Sequence, residues 1–565
     1  MSPFMTEWAG RLPHSKDAAY DTRQTPDNEE PQGCMAGTRE QILDELEKWA
    51  ISDTPSKVFW LNGMAGTGKT SIAHTLSERL DEKQMLGASF FCSRSASQTV
   101  KDASLIIPTI AAKLSQASSP LRSAMVQTIE KEPDVGSMHT LSKQFRLLLV
   151  GPIQRALDPS LKIYKIVVID ALDECTNLGT AEKLVQSVVD YTPDLPLKFF
   201  ISSRESTKFL NAFHHNPTHR PKILSLHSVE RTAVQEDIKL YLQASLSAIV
   251  TKNRLSIPWP PLNEFETLVE RSDRLFIYAA TAVRYIDAPD VDFRQRLAHI
   301  TRLTPARMNT GIIDSLYNDI MRQAFHCELQ PDEVSARRET LSAVVFLLVP
   351  LSLDAIACLL NMDSLQARFA LAPFRSVIHV PPTTDISPVT IFHASFPEFI
   401  VHLSRCQEPF RLDQSEGNRM LTVQCFRCLN QSLEHNIGNP ASSSHEPNTI
   451  PEVLRYSCLH WASHLAQALA AALAQNAAME IQVLTSTFVD QHLLHWFKCL
   501  SALRELESGI MSLDIAYEAL SVSAKIASKQ PYQLTLFTGL LERARWICGY
   551  STTPQRRSSV PTTQF

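Results

Sequence analysis

The stretch from Val58 to Leu80, VFWLNGMAGTGKTSIAHTLSERL, constrains this 565-residue chain more than any other. An apolar run, Val58 to Leu61, enters a loop with glycines at positions 63, 66 and 68. Apolar residues then recur at Ile72, Ala73, Leu76 and Leu80. That pattern predicts a buried strand, a tight loop and an amphipathic helix. Gly63, Gly68, Lys69 and Thr70 satisfy G-x-x-x-x-G-K-[ST], the spelling of a phosphate-cradling loop. Glycines let the backbone from Gly63 through Met64, Ala65, Gly66, Thr67 and Gly68 turn its N–H groups inward around phosphate oxygens. Lys69 adds a point charge, and Thr70, followed by Ser71, offers a hydroxyl to Mg²⁺ where the helix dipole already favours an anion.

Further strands are predicted at Leu86 to Cys92, Lys165 to Asp170 and Lys198 to Ser202, with helical stretches between them. Such alternation implies right-handed crossovers and a parallel sheet that binds ligands at the carboxyl ends of its strands. The fold class is therefore an α/β P-loop NTPase. Asp170 ends the run KIVVID, where such proteins place the acidic residue that holds Mg²⁺ through water. Asp173 and Glu174, in DALDEC, are candidates to orient an attacking water, and Arg204, after KFFISS, is a candidate sensor of a terminal phosphate.

The 54 basic and 59 acidic residues leave a net charge of −5, without the broad basic field that nucleic-acid binding needs, so no nucleic-acid partner is expected. The longest apolar run, Ala343 to Leu351, is broken by Pro350, well short of the ~20 residues of a spanning helix. The N-terminus lacks the apolar core of a signal peptide, and eleven cysteines without framework spacing suit reduced thiols. These features predict a soluble, cytoplasmic protein. Cys425 and Cys428 form a lone C-x-x-C in an apolar helical run, which suits buried thiols better than zinc.

Residues 1–33 are polar, with a linker-like TRQTPDNEEPQG, and 34–225 hold the nucleotide motifs. TREQILDELEKWA, from Thr38, predicts a helix with a capping box at Gln41 and an apolar face of Ile42, Leu43, Leu46, Trp49 and Ala50. Helical patterns fill 226–335, including Val234 to Ala244. Over 336–405, three helices, two short strands with PPTTDISP between them, and a closing helix suggest a winged helix. Its third helix carries only Arg368 as a base, so groove reading is not expected. The segment 406–550 is helical, and 551–565 is tail-like.

Six segments together resemble one family: GMAGTGKT, VVIDALDEC, FFISSR, RLFIYAATAVRYI, VTIFHASFPEFI and YSCLHWASHL. They are similar, five of them in the family's order, to the NACHT class of STAND signal-transduction NTPases. The likeness is to the fungal NOD-like-receptor branch with a nephrocystin-3-like N-terminal segment, from about Leu12 to about residue 540. The resemblance implies a P-loop sheet followed by a helical domain, a winged helix and a helical extension. It implies that Gly63 to Ser71 bind phosphates, Thr70 and Asp170 hold Mg²⁺, and Asp173 and Glu174 serve the water. Arg204 is then the sensor, His393 touches the β-phosphate of bound ADP, and Gly37, Thr38 and Arg39 match the base-contacting segment. The usual effector domain and WD repeats are not legible, Glu205 stands where the family tends to have proline, and Asp273 and Arg274 replace a common glycine pair.

The implied function is a signalling switch set by ATP and ADP, with GTP possible. Slow hydrolysis to NDP and phosphate would reset it, and the NTP-bound form would self-associate in immunity-like or incompatibility signalling. Two other functions stay open. An NTPase with mechanical output lacks an LSGGQ-like signature and a second P-loop, and a degenerate scaffold acting only through protein contacts sits poorly with an intact loop and DALDE.

Overall fold

The computed structural model describes residues 12–22, 33–93, 98–137, 140–156, 165–214, 216, 220–254, 258–289, 292–302, 311–383, 385–433, 450–469 and 475–526. Most of the linker-like segment, residues 23–32, and the tail at 551–565 lie outside them. The chain forms two compact units interleaved along the sequence. One comprises Met1–Cys327, Leu348–Pro350 and Ala372–Phe410, the other Glu328–Leu347, Leu351–Leu371 and Arg411–Phe565.

The first unit is built on a parallel sheet of β1 (Val58–Asn62), β2 (Leu86–Phe91), β3 (Lys165–Asp170), β4 (Leu197–Ser203) and β5 (Lys222–Ser225), in the order β2-β3-β4-β1-β5. β1 and β4 are buried along their whole length, which explains their unbroken apolar spelling. Side chains alternate between two cores. Trp60, Phe90, Val167, Ile169, Phe199 and Ile201 face one way. Phe59, Leu61, Phe91, Ile166, Val168 and Phe200 face the other, where they meet α1 (Glu40–Ile51) and α2 (Lys69–Glu82). Between β2 and β3 lies more helix than the sequence pattern indicated, with Ser119–Lys131 and Gly151–Ala156 added to Ile106–Ala117.

The apolar face expected for α1 is the one it buries: Ile42, Leu43, Leu46, Trp49 and Ala50. The expected capping box is not formed. The Thr38 hydroxyl donates to Met35 O at 2.7 Å, and the helix starts from Arg39 in the left-handed region, φ 61°, with no side-chain cap. Thr38 lies one residue outside the N-cap position, so its oxygen does not receive an N–H of the first turn. The other end of α1 is closed by Lys198. This fully buried residue of β4 donates from Nζ to Trp49 O at 2.6 Å, to Ala50 O at 3.1 Å and to Ser52 O. A cation there meets the negative end of the helix dipole as well as its last free carbonyls.

After the sheet come α3 (Arg231–Lys252), Leu262–Ser272, α4 (Phe276–Ile286), Phe293–Arg302 and α5 (Ile312–Ala324). α3 runs past the Ala244 limit read from sequence because Leu246 and Ile249 prolong the buried stripe of Val234, Ile238 and Leu242. A two-stranded antiparallel hairpin, β6 (Ile378–His379) and β7 (Thr390–Ile391), leads into α6 (Ser395–Val401).

The second unit is helical among its described residues. Gln414–Ser432 lies along Glu452–Ala468, and Phe426, Trp461, Phe488 and Trp496 form an aromatic cluster with ring centroids 5.1–6.1 Å apart. Buried His464 bridges Tyr456 Oη at 2.6 Å and Asn418 Oδ1 at 2.8 Å. Gly417 fits against Phe346, where an added Cβ would lie 2.2 Å from the ring. Among the described residues no helix is long and apolar enough to cross a membrane.

Lys198→Met keeps the bulk of the stem but strips three carbonyls of their donor. We expect a loss of about 2–4 kcal/mol in urea unfolding followed by tryptophan fluorescence. A loss below about 0.5 kcal/mol would mean that α1 ends without help from the lysine.

Candidate functional site

The loop from β1 to α2 owes its shape to two glycines in the left-handed region, Gly66 at φ 78° and Gly68 at φ 91°. At Gly68 the demand is conformational, since an added Cβ would meet nothing within 4 Å. At Gly66 it is also steric. The start of α4 lies against it, with Ile277 N donating to Gly66 O at 3.1 Å, and an added Cβ would stand 2.0 Å from Ile277 Cγ2.

Lys69 is the first residue of α2 and nearly buried. Its Nζ donates to Gly63 O at 2.8 Å and Met64 O at 2.9 Å. Burial lowers its pKa, against the pull of Asp173 and then Asp170. Those two carboxylates stand at the end of β3 and in the turn after it, so the loop lysine and the acidic motif share one field. The Thr67 hydroxyl closes the loop on Met64 O at 2.9 Å. Met64 and Thr70 are exposed, and Ala65 and Ser71 half-buried.

Asp170 is 1% exposed. One carboxylate oxygen accepts from the Ser202 hydroxyl of β4, and that hydroxyl accepts in turn from Ala171 N at 3.0 Å. The other, Oδ2, has no well-formed hydrogen bond. Burial raises the Asp170 pKa, while Ser202, Thr70 and Lys69 favour the charged form. Ala171 is left-handed at φ 51°, a conformation that costs a non-glycine residue about 1–3 kcal/mol. That bend starts the short turn Leu172–Glu174 and brings Asp173 to the end of β4. There Asp173 Oδ1 accepts from Arg204 N at 2.9 Å and its Oδ2 lies 3.2 Å from Arg204 Nε. Glu174 is half-buried beside it.

Arg204 also reaches α6, where its Nη1 donates to Glu398 Oε2 at 2.9 Å. His393, between β7 and α6, belongs to the same cluster. Its Nδ1 accepts from Ser395 N at 3.1 Å and lies 2.8 Å from the Ser395 hydroxyl, which is itself 2.8 Å from Tyr317 Oη of α5. Burial holds the His393 pKa down to about 4, helped by Arg204, Lys69 and Arg284 and opposed by Glu398. The imidazole is therefore neutral near pH 7.

Arg39 is buried against the loop. Nη2 donates to Thr67 O at 2.9 Å, its backbone N donates to Asp237 Oδ2 at 3.2 Å, and the guanidinium lies 4.9 Å from the Phe276 ring. Thr38 beside it is buried, with its hydroxyl turned back on Met35. Sequence reasoning did not single out Asp237, Phe276, Ile277, Arg284 or Glu398. Asp237 lies on a helix whose spelling shows only amphipathic periodicity, the other four lie in RLFIYAATAVRYI and VTIFHASFPEFI, where the resemblance gave them no role, and what singles all five out is the neighbour they meet.

The donor set suits a hard cation that arrives with phosphate: a buried carboxylate oxygen without a firm partner, near the Thr70 hydroxyl. Magnesium is held in this way, by one or two carboxylates plus substrate phosphates. Among the described residues no group of three His, Cys, Asp or Glu side chains could hold a metal.

The sequence profile of the family described as Nephrocystin 3, N-terminal, matches residues 37–204, the segment that carries the loop, Asp170 and Arg204. No curated protein matches significantly. Solved structures similar to this chain include Drosophila ORC bound to poly(dA/dT) DNA and Cdc6, at 12% identity over 89% of this chain and 69% of that one, TM-score 0.23. Drosophila ORC bound to DNA is similar at 13% identity over 87% and 72%, also with TM-score 0.23. The loop, the parallel sheet and the family match together define a P-loop NTPase domain with a nucleotide-binding role.

The depressed His393 pKa has a measurable consequence. An unfolded imidazole takes its proton near pH 6.5 and folded His393 only near 4, so between these values the unfolded chain binds more protons. The contribution of His393 is full above pH 6.5 and is lost as the pH falls toward 4. His464, held down to about 3 by burial, acts in the same direction. His393→Gln should flatten the stability–pH curve between 6.5 and 4, while His393→Gln/His464→Gln should flatten it further. Curves for wild type and His393→Gln that run parallel through this window exclude the buried neutral imidazole.

Proposed function

We propose that the chain is a nucleotide-dependent switch of the NACHT/STAND class, in which ADP holds a resting arrangement and exchange for ATP releases surfaces for self-association. The observation that carries this is the convergence of Lys69, Asp173, Arg204 and His393, contributed by the loop, two strand ends and the segment between β7 and α6. A ligand held by elements so far apart in sequence binds one arrangement better than another, which is what a switch requires.

In this reading the backbone from Gly63 to Ser71 and the Lys69 ammonium hold the phosphates. Thr70 and Asp170 would hold Mg²⁺, which would supply positive charge to offset that of the phosphates. Neutral His393, with Nδ1 occupied by Ser395, carries its proton on Nε2 and offers it to a phosphate oxygen. Thr38 and Arg39 belong to the segment that contacts the base, which Arg39 ties to the loop at Thr67 O, and ATP is favoured over GTP by analogy with the class.

Asp173 and Glu174 orient the water. Hydrolysis is slow because the Arg204 backbone and guanidinium occupy both oxygens of Asp173, which leaves it less free to aim the water. The helices Pro331–Phe346, Leu353–Leu359 and Ser364–Leu371, followed by the β6–β7 hairpin and α6, have the element order of a winged helix. A cytoplasmic role in fungal immunity-like or incompatibility signalling follows from the class.

The test is to purify the protein gently, denature it and identify the released nucleotide by chromatography, with Lys69→Ala alongside. Stoichiometric ADP is expected from wild type. The variant should retain little and bind added ADP at least about tenfold more weakly, the cost of one charge-assisted contact. A wild-type protein that releases nothing and ignores added nucleotide overturns the switch.

A further inference from the structure

Arg204 is shared between two carboxylates of different origin. Asp173 holds its Nε side from the turn after β3, and Glu398 holds Nη1 from α6 at 2.9 Å. The first contact stays within the sheet rim. The second joins the end of β4 to the helix that starts just after His393, and Ser395, the first residue of that helix, is hydrogen-bonded to both His393 and Tyr317. His393 and Glu398 are thus presented by one short, internally braced piece of chain.

We propose that Glu398 is the residue that sets the preference between nucleoside di- and triphosphate, by competing with the terminal phosphate for Arg204. The inference rests on the reading of Arg204 as a terminal-phosphate contact. A guanidinium offers planar, paired N–H donors to a carboxylate or a phosphate, and Glu398 occupies donors that the phosphate needs. A diphosphate has no group that reaches for Arg204 and leaves the Glu398 contact alone. A triphosphate brings a second anion to the same cation, so Glu398 is displaced and α6 loses its tie to the sheet.

The pair is suited to exchange. Both side chains are about one-quarter exposed, 28% and 27%, so solvent screens the attraction and a more highly charged anion can replace it. Asp173, at 12%, is better covered and stays with Arg204 as its fixed partner.

Affinities for fluorescent ADP and for a fluorescent non-hydrolysable ATP analogue, with Mg²⁺, test this in the full chain. Glu398→Gln keeps the shape and removes the charge. Its triphosphate affinity should rise about tenfold relative to diphosphate, with ADP affinity within twofold of wild type and an unchanged melting temperature in the absence of nucleotide. Glu398→Asp should restore most of the wild-type ratio, and in an Arg204→Ala background Glu398→Gln should have no further effect.

An unchanged ratio in Glu398→Gln, or equal shifts for both nucleotides, overturns the role of Glu398 while leaving the switch standing. A wild-type protein that binds neither nucleotide overturns both. Should Glu398→Gln fold poorly, Glu398→Ala read against Arg204→Ala/Glu398→Ala decides the matter through the same ratio.

Discussion

All five strands of the sheet run the same way, and that one constraint gathers the chemistry. Parallel pairing puts Asn62, Asp170 and Ser203 at a common rim, because each is the last residue of its strand. The order places β4 between the loop strand and the acidic strand. The hydroxyl of Ser202 can therefore hold Asp170 from one side, while Arg204, two residues on, holds Asp173. The apolar alternation along the strands keeps this rim in register, since a one-residue slip would exchange the two cores.

Around the rim, charge is balanced locally. Lys69, Arg204 and Arg284 all bear on His393, and their summed field, added to burial, keeps the imidazole neutral. Asp170 and Asp173 limit the cost of burying Lys69, which in turn favours the ionised form of Asp170. Removing any one of these groups leaves another with a buried charge and less compensation, so single substitutions here alter several neighbours. The left-handed Ala171 fits the same picture. A strained residue persists only where its surroundings over-determine it, and here Ser202 fixes its N–H.

How much of this was legible in the sequence follows from how local each signal is. The loop is spelled by contiguous residues, and β3 and β4 by unbroken apolar runs, so the α/β core and the parallel sheet could be read directly. The apolar face of α1 could be read from periodicity, but its start could not, because left-handed Arg39 takes the N-cap position and leaves Thr38 one residue outside it. Strand order was not legible, since pairing depends on crossovers that leave no local mark. The contacts Arg204–Glu398, Arg39–Thr67 and Gly66–Ile277 span 194, 28 and 211 residues, and no pattern within a helix announces the partner it will meet. The resemblance through VTIFHASFPEFI drew attention to His393, but Glu398, five residues on, stood out only once its neighbour was in place. The two units likewise interleave along the chain, which a left-to-right division of the sequence does not express.

The helix α4 has a mechanical consequence. At its first turn Ile277 is hydrogen-bonded to Gly66 in the loop, and near its last turn the guanidinium of Arg284 lies 4.0 Å from the ring of Phe392, the neighbour of His393. Eleven residues at about 1.5 Å each make a rod of about 16 Å. An α-helix of that length bends little, so it acts as a connecting rod with one bearing on the loop and the other on the hairpin. A tilt that lifts the Phe392 end shifts the Gly66 end as well, and the loop and the histidine are geared together even when nothing lies between them.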